Sequence, residues 1–214
     1  MEIITINKNP NFANSYFIIN DDEVIIIDPA CSVSDAKTII KDKKLVGILL
    51  THCHYDHFVG LKDLVNAFNV KCYLNKKTFI HLNEEEVNCA MYFGVLEKDH
   101  FSSTDFVFLS DGKEWTLAGL KIQAIYTPGH TDDSVCYLIG ENLFTGDTLF
   151  RGSVGRTDLA TGSSFSQKES LKRLVNLYHH QEINYTIYPG HEEKTDMVTE
   201  LNNNYYLQFM SPSK

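Results

Sequence analysis

The chain predicts an α/β fold of four layers, an αβ/βα sandwich. Three observations carry that reading. Strand-like runs come in two clusters, each cluster is followed by helical segments, and no Pro/Gly/Ser-rich linker divides the 214 residues. Two similar halves packed sheet to sheet, with helices outside, satisfy all three. The span 1–214 is therefore read as one domain.

Taken in order, Glu2 to Ile6, Asn14 to Ile19 and Glu23 to Ile27 read as a β-meander, the last two joined at the turn Asn20-Asp21-Asp22. Ser34 to Lys44 reads as a short helix and Leu45 to Leu50 as an apolar strand. In Phe58 to Phe68, Leu61, Leu64, Val65 and Phe68 fall at i, i+3, i+4 and i+7, the stripe of a helix packed on a sheet. Lys71 to Leu74 is a short strand, and Lys76 to His100 is expected to hold a surface helix and a mobile loop. The second β-unit is expected to run through Phe106 to Leu109, Glu114 to Leu117, Leu120 to Thr127, Val135 to Ile139 and Leu143 to Thr145. A helix over Ser166 to Tyr178, a strand over Ile183 to Tyr188 and a helix over Thr195 to Asn204 complete it.

Composition narrows the function. Hydrophobic residues at 43% and charged residues at 22% are those of a globular core. With a net charge of −9 and no Lys/Arg run long enough to neutralise a row of phosphates, nucleic acid is not an expected partner. Lys41, Lys43 and Lys44 read as a solvated loop before a strand. The five cysteines form no C-x-x-C pair, which suits a reducing cytoplasm. Met1 to Asn7 alternates like a strand and lacks the layout of a signal peptide, and no apolar run approaches the ~20 residues that span a bilayer. A cytoplasmic protein with no membrane partner is expected; the oligomeric state has no signature here.

The chemistry concentrates in Thr51-His52-Cys53-His54-Tyr55-Asp56-His57, which leaves the apolar strand directly. On an extended segment alternate side chains share a face, so His52 and His54 can converge on one ion. The turn beyond can aim Asp56 and His57 at a neighbouring one. Imidazole and carboxylate suit Zn, and also Fe or Mn. Further candidates sit just after strands, each behind a glycine: His130 in Pro128-Gly129-His130-Thr131, Asp147 in Thr145-Gly146-Asp147-Thr148 and His191 in Pro189-Gly190-His191. Cys53 should point away from the flanking histidines, and His81, His100, His179 and His180 have no comparable setting.

This set, in this order, resembles the metallo-β-lactamase superfamily over almost the whole chain. The resemblance implies that His52, His54 and His130 hold one metal, that Asp56, His57 and His191 hold a second, and that Asp147 bridges them. It also implies that Asp28 supports the metal-binding loop, although an Asp before Pro29 forms turns on its own account. Within the superfamily, Phe12-Ala13-Asn14-Ser15-Tyr16, Gly146-Asp147-Thr148-Leu149-Phe150, Gly152 to Asp158 and Asn203-Asn204-Tyr205-Tyr206-Leu207 look most like short bacterial forms of glyoxalase II, hydroxyacylglutathione hydrolase. Only Glu192 to Lys214 follow the last histidine, in place of the helical domain of the larger enzymes.

The expected activity is therefore hydrolysis of a small-molecule, glutathione-type thioester such as S-lactoylglutathione. Two divalent ions, Zn foremost, would generate a bridging hydroxide, with Asp56 and Asp147 as the catalytic carboxylates. Arg156 is placed either against a substrate carboxylate or against a loop carboxylate of its own chain. Asp132-Asp133, where many relatives have a Gly, is expected to alter the loop or add negative charge beside the metals. The alternatives are a persulfide dioxygenase with a single iron on His52 or a neighbour, His130 and Asp147, or another hydrolase of this fold. A β-lactamase is disfavoured by the missing export signal, a nuclease by the acidic charge, and a non-catalytic metal or redox module by the complete ligand set.

Overall fold

The computed structural model describes residues 1–95 and 101–208. The first sheet has strands β1 (Glu2–Ile6), β2 (Ser15–Asn20), β3 (Glu23–Ile27), β4 (Lys44–Leu49), β5 (Cys72–Asn75) and β6 (Phe106–Leu109), side by side in that order. The β1–β2 and β2–β3 pairs are antiparallel; from β3 to β6 every pair is parallel. Helix α1 (Val33–Ile40) crosses from β3 to β4, and α2 (Tyr55–Phe58) and α3 (Leu61–Phe68) lie between β4 and β5. Two short helices, α4 (Lys76–His81) and α5 (Glu85–Asn88), follow β5.

Side-chain alternation along these strands builds two cores at once. Phe17, Ile19, Val24, Ile26 and Ile48 pack with Ala36, Ile40, Leu61 and Leu64 of the outer helices. Their neighbours Tyr16, Ile18, Ile25, Ile27 and Leu49 point the other way, against the second sheet.

That sheet has the order β14-β13-β10-β9-β8-β7. Its strands are β7 (Glu114–Leu117), β8 (Leu120–Tyr126), β9 (Val135–Ile139), β10 (Asn142–Gly146), β13 (Thr186–Pro189) and β14 (Thr195–Asp196). A hairpin of β11 (Leu149–Phe150) and β12 (Ser153–Val154) stands apart from it. Ile122, Ala124, Tyr137, Ile139 and Phe144 meet the first sheet. Ile125, Cys136, Leu138, Leu143 and Ile187 meet α6 (Ser164–Gln181) and α7 (Met197–Asn203) through Leu171, Leu174, Val175 and Met197. The result is the expected order of helix, sheet, sheet, helix.

Several expectations shift. Phe106 to Leu109 joins the first sheet rather than the second, because Phe106 packs with Phe79 and Phe101 in the outer core of that sheet. The helix expected over Phe58 to Phe68 is broken at Val59 and Gly60, where the Gly60 N–H bonds to Pro29 O at 2.9 Å. α1 opens with a Ser32–Asp35 capping box and stops at Ile40, where Lys41 takes φ +55; Lys44 is already in β4. The 183–188 strand is shorter, α6 is longer, and the β11–β12 hairpin is unforeseen. Within Lys76 to His100, residues 96–100 lie outside the described ones, and His100 with them. Among the described residues no helix is long and apolar enough to cross a membrane.

Candidate metal centre

Five segments deliver the candidate residues to one end of the sandwich, each leaving a strand: Asp28 after β3, His52 to His57 after β4, His130 after β8, Asp147 after β10 and His191 after β13. Backbone bonds lock these loops to one another, within the second half and across the two halves. Val135 N–H donates to Thr51 O at 2.8 Å, Gly190 N–H to Gly146 O at 2.8 Å and Asn14 N–H to Gly190 O at 2.7 Å. Gly190 must be glycine, since a Cβ there would lie 2.2 Å from Asp147 Oδ1 and 2.5 Å from His57 Cε1. Gly146 turns at φ +48 against the Thr51 side chain, a left-handed conformation that glycine adopts freely.

All seven predicted ligands come together. Three groups have ligand atoms within 4.8 Å of one another: His52, His54 and His130; His52, His57 and Asp147; and Asp56, His57 and His191. Asp147 spans the sets, with Oδ1 3.2 Å from His57 Nε2, and Oδ2 3.4 Å from His130 Nε2 and 3.7 Å from His191 Nε2. Asp56 Oδ2 is 3.1 Å from His191 Nε2 and 3.8 Å from His57 Nε2.

The outer atoms of these imidazoles are committed to protein partners, which sets which nitrogen faces inward. His57 Nδ1 donates to Asp28 Oδ2 at 2.8 Å, and His130 Nδ1 donates to the carbonyl of Arg156 at 2.7 Å. Thr51 Oγ1 gives its one proton to Asp28 Oδ2 at 2.7 Å, so it accepts from His52 Nδ1 at 3.1 Å. Between the imidazoles, His54 Nδ1 lies 2.9 Å from His130 Nε2. His52 Nε2, His54 Nε2, His57 Nε2 and Asp147 Oδ1 are buried without a hydrogen bond, each costing about 1–3 kcal/mol if left so. Unpaired imidazole and carboxylate atoms converging on common points are the donor set of divalent cations, and the residues fit such ions.

The family model of the metallo-beta-lactamase superfamily matches residues 9–191. The chain belongs to that superfamily. A probable metallo-hydrolase of Bacillus subtilis, YqgX, is 31% identical over 209 residues, covering 94% of this chain and 95% of its own. A hydroxyacylglutathione hydrolase of Francisella tularensis subsp. novicida is 32% identical over 165 residues, 76% of this chain and 57% of that enzyme. Among solved structures, the B3 metallo-beta-lactamase BLEG-1 superposes with a TM-score of 0.81 at 27% identity, covering 96% and 99% of the two chains. TTHA1623 in a di-iron-bound form gives 0.80 at 28%, covering 97% and 100%. As a member of the metallo-beta-lactamase superfamily, the chain is a metal-dependent hydrolase acting on a small molecule.

Electrostatics in this superfamily site follow from burial and from one crowd of carboxylates. Burial, then the neighbouring His57, push His52 well below the usual imidazole range, and burial with His130 takes His54 down to about 3. Both are thus neutral at physiological pH, with lone pairs free to ligate. Burial also opposes charge on His57, but Asp147, Asp28 and Asp56 outweigh it and raise it well above the ordinary value. Asp147, which burial alone would raise, is held well below the carboxylate range by His57, His130 and His191. A divalent cation held by His57 and Asp147 would take the place of the proton on His57.

Other residues settle elsewhere. Cys53 is fully buried, belongs to none of the three groups, and has its thiol pushed up by burial and by Asp133. The side chain of Arg156 forks onto Asp158 at 2.7 and 2.8 Å, the loop-carboxylate alternative. Asp132 adds no free charge, being bound by Lys77 at 2.7 Å and His81 at 3.0 Å. Asp133 is wholly buried, and burial raises its pKa. Sequence reasoning missed Thr51 as the link between Asp28 and His52, and the main chain of Arg156 as the partner of His130. It also passed over Asn14 and Tyr16, which hold the carbonyl of Pro189 two residues before His191. A polar pair at the start of the apolar second strand, Asn14 and Ser15, was the available signal.

Proposed function

We propose that the chain is a thioester hydrolase of the glyoxalase II type, working with two divalent metals, Zn foremost. His52, His54 and His130 would hold one ion, Asp56, His57 and His191 the other, and Asp147 would bridge them. The observation that carries the two-ion reading is the convergence of inward atoms left without partners on both sides of Asp147. When bound, such a pair lowers the pKa of water toward 7 and polarises a carbonyl oxygen.

The chain's own residues do the rest. Asp56, beside His191, is placed to orient the attacking water and to take its proton. Thiolate leaves readily because a thiol of pKa about 8.5 needs no strong general acid. Beyond the ligands, Arg156 lines a cleft of about 540 Å³ with Lys168, Tyr205 and Tyr206. An anionic carrier would take over the guanidinium from Asp158. The likeness to hydroxyacylglutathione hydrolase supports this substrate class.

Release of free thiol from S-lactoylglutathione tests the reading. It should require metal, be lost in His54→Ala, and proceed equally without O₂. Oxygen uptake with glutathione persulfide, thioesters remaining intact, would replace it with the single-iron dioxygenase.

A further inference from the structure

The last helix, α7, follows closely on His191 and supplies no candidate ligand, yet Glu200 within it and Asn204 at its C-terminal cap are buried polar side chains with bonds that leave the helix. Glu200 is 1% exposed and Asn204 0%. Glu200 Oε2 accepts from the backbone N–H of Gly152 and from Asn204 Nδ2, both at 2.8 Å, while its Oε1 accepts from Thr195 Oγ1 at 2.7 Å. Asn204 Nδ2 also donates to Ser153 O at 3.1 Å.

Gly152 and Ser153 belong to the β11–β12 hairpin. Two strands of two residues, paired as Leu149 with Val154 and Phe150 with Ser153, cannot hold their place unaided. Its position matters because the chain continues straight to the centre. At Gly155 a Cβ would lie 3.0 Å from His130 Cγ, and the next carbonyl, that of Arg156, takes the Nδ1–H of His130. Phe150, in the same hairpin, stands edge-on to His191 with ring centroids 6.1 Å apart.

We propose that Glu200 and Asn204 are positioning residues that fix the Arg156 carbonyl through this hairpin and thereby hold His130 with its proton on Nδ1 and its Nε2 turned to His54 Nδ1, 2.9 Å away, and to Asp147. A ligand-bearing loop is thus anchored by side chains of α7 and its cap that touch no ligand. The inference rests on the two-ion reading only for metal affinity; the tautomer is a property of the metal-free chain.

The test is nitrogen-15 NMR of the His130 ring in the full metal-free chain, with zinc competition as the second readout. The wild type should show one tautomer, protonated at Nδ1. Glu200→Gln turns an amide toward at least one of the three donors, and should give a mixture of tautomers with one of two zinc ions bound ~10–100-fold more weakly. Asn204→Asp sets a carboxylate against Glu200 and should do the same, which keeps the test open should Glu200→Gln not fold. Thr195→Val removes only the bond from β14 to Glu200 Oε1, away from the hairpin, and should leave His130 unchanged. Retention of the wild-type tautomer in both Glu200→Gln and Asn204→Asp, or an equal change in Thr195→Val, overturns the proposal. A zinc affinity that is weak even in the wild type, with the tautomer shifts as expected, supports the positioning role and counts against the metal reading alone.

Discussion

The carboxylate of Asp28 accepts the Nδ1–H of His57 at 2.8 Å, and the same oxygen takes the hydroxyl proton of Thr51, whose oxygen faces His52. One acidic side chain thus orients an imidazole on each side of Asp147. Asp28 does this at φ +51, a conformation that Asn shares at little cost.

Asp28→Asn should therefore keep the backbone while turning one acceptor into a donor. Zinc affinity is expected to fall ~10–100-fold at both positions, read by competition with a chelating dye. Weakening of one ion only would mean that the Thr51 link does not reach His52.

Asp147→Ala should lose metal and hydrolysis together, since it removes the one carboxylate facing His57, His130 and His191 alike. Elemental content and rate, measured on the same preparation, check this. A variant that retains both ions at the wild-type rate contradicts the bridge.

Asp133 gives a pH-dependent prediction. Burial raises its pKa from the ordinary 3.8, and although Thr131, Thr78 and Cys53 lie near enough to lower it in part, neither carboxylate oxygen has a hydrogen bond in good geometry. A carboxyl raised in the folded state favours folding fully below its unfolded pKa, and loses that contribution as pH rises through the folded one. Across that window the wild type should lose about 1.4 kcal/mol per pH unit that Asp133→Asn does not. Denaturant melts from pH 4 to 8 should show the variant gaining on the wild type with rising pH; parallel profiles would contradict this.

Arg156→Ala should raise KM a few-fold with kcat unchanged, as loss of uniform binding does. Asp158→Ala, which frees the guanidinium, should move KM the other way. Steady-state kinetics with an anionic thioester separate the two, and a fall in kcat with Arg156→Ala would instead implicate its loop in holding His130.

The sequence exposed most of this centre because its chemistry is written in residue types that are rare in combination: three histidines and an aspartate in His52 to His57, and glycines before His130, Asp147 and His191. The layer order was legible for a similar reason, as the period of two in Tyr16 to Ile19 sends alternate residues to different cores. Two kinds of feature were not. Phe106 to Leu109 joins the first sheet through long-range packing of Phe79, Phe101 and Phe106, which no local pattern encodes. The Arg156 carbonyl, the Glu200 anchor and the β11–β12 hairpin depend on main-chain placement, and a backbone oxygen has no letter of its own.

The most direct measurement of the central claim is the metal content of the chain purified without chelator, determined by mass spectrometry for the wild type and for His57→Ala. Seven ligands in two sets around Asp147 predict close to two ions per chain in the wild type and close to one in the variant. A firm value near one in the wild type, unchanged in His57→Ala, would contradict the two-ion centre.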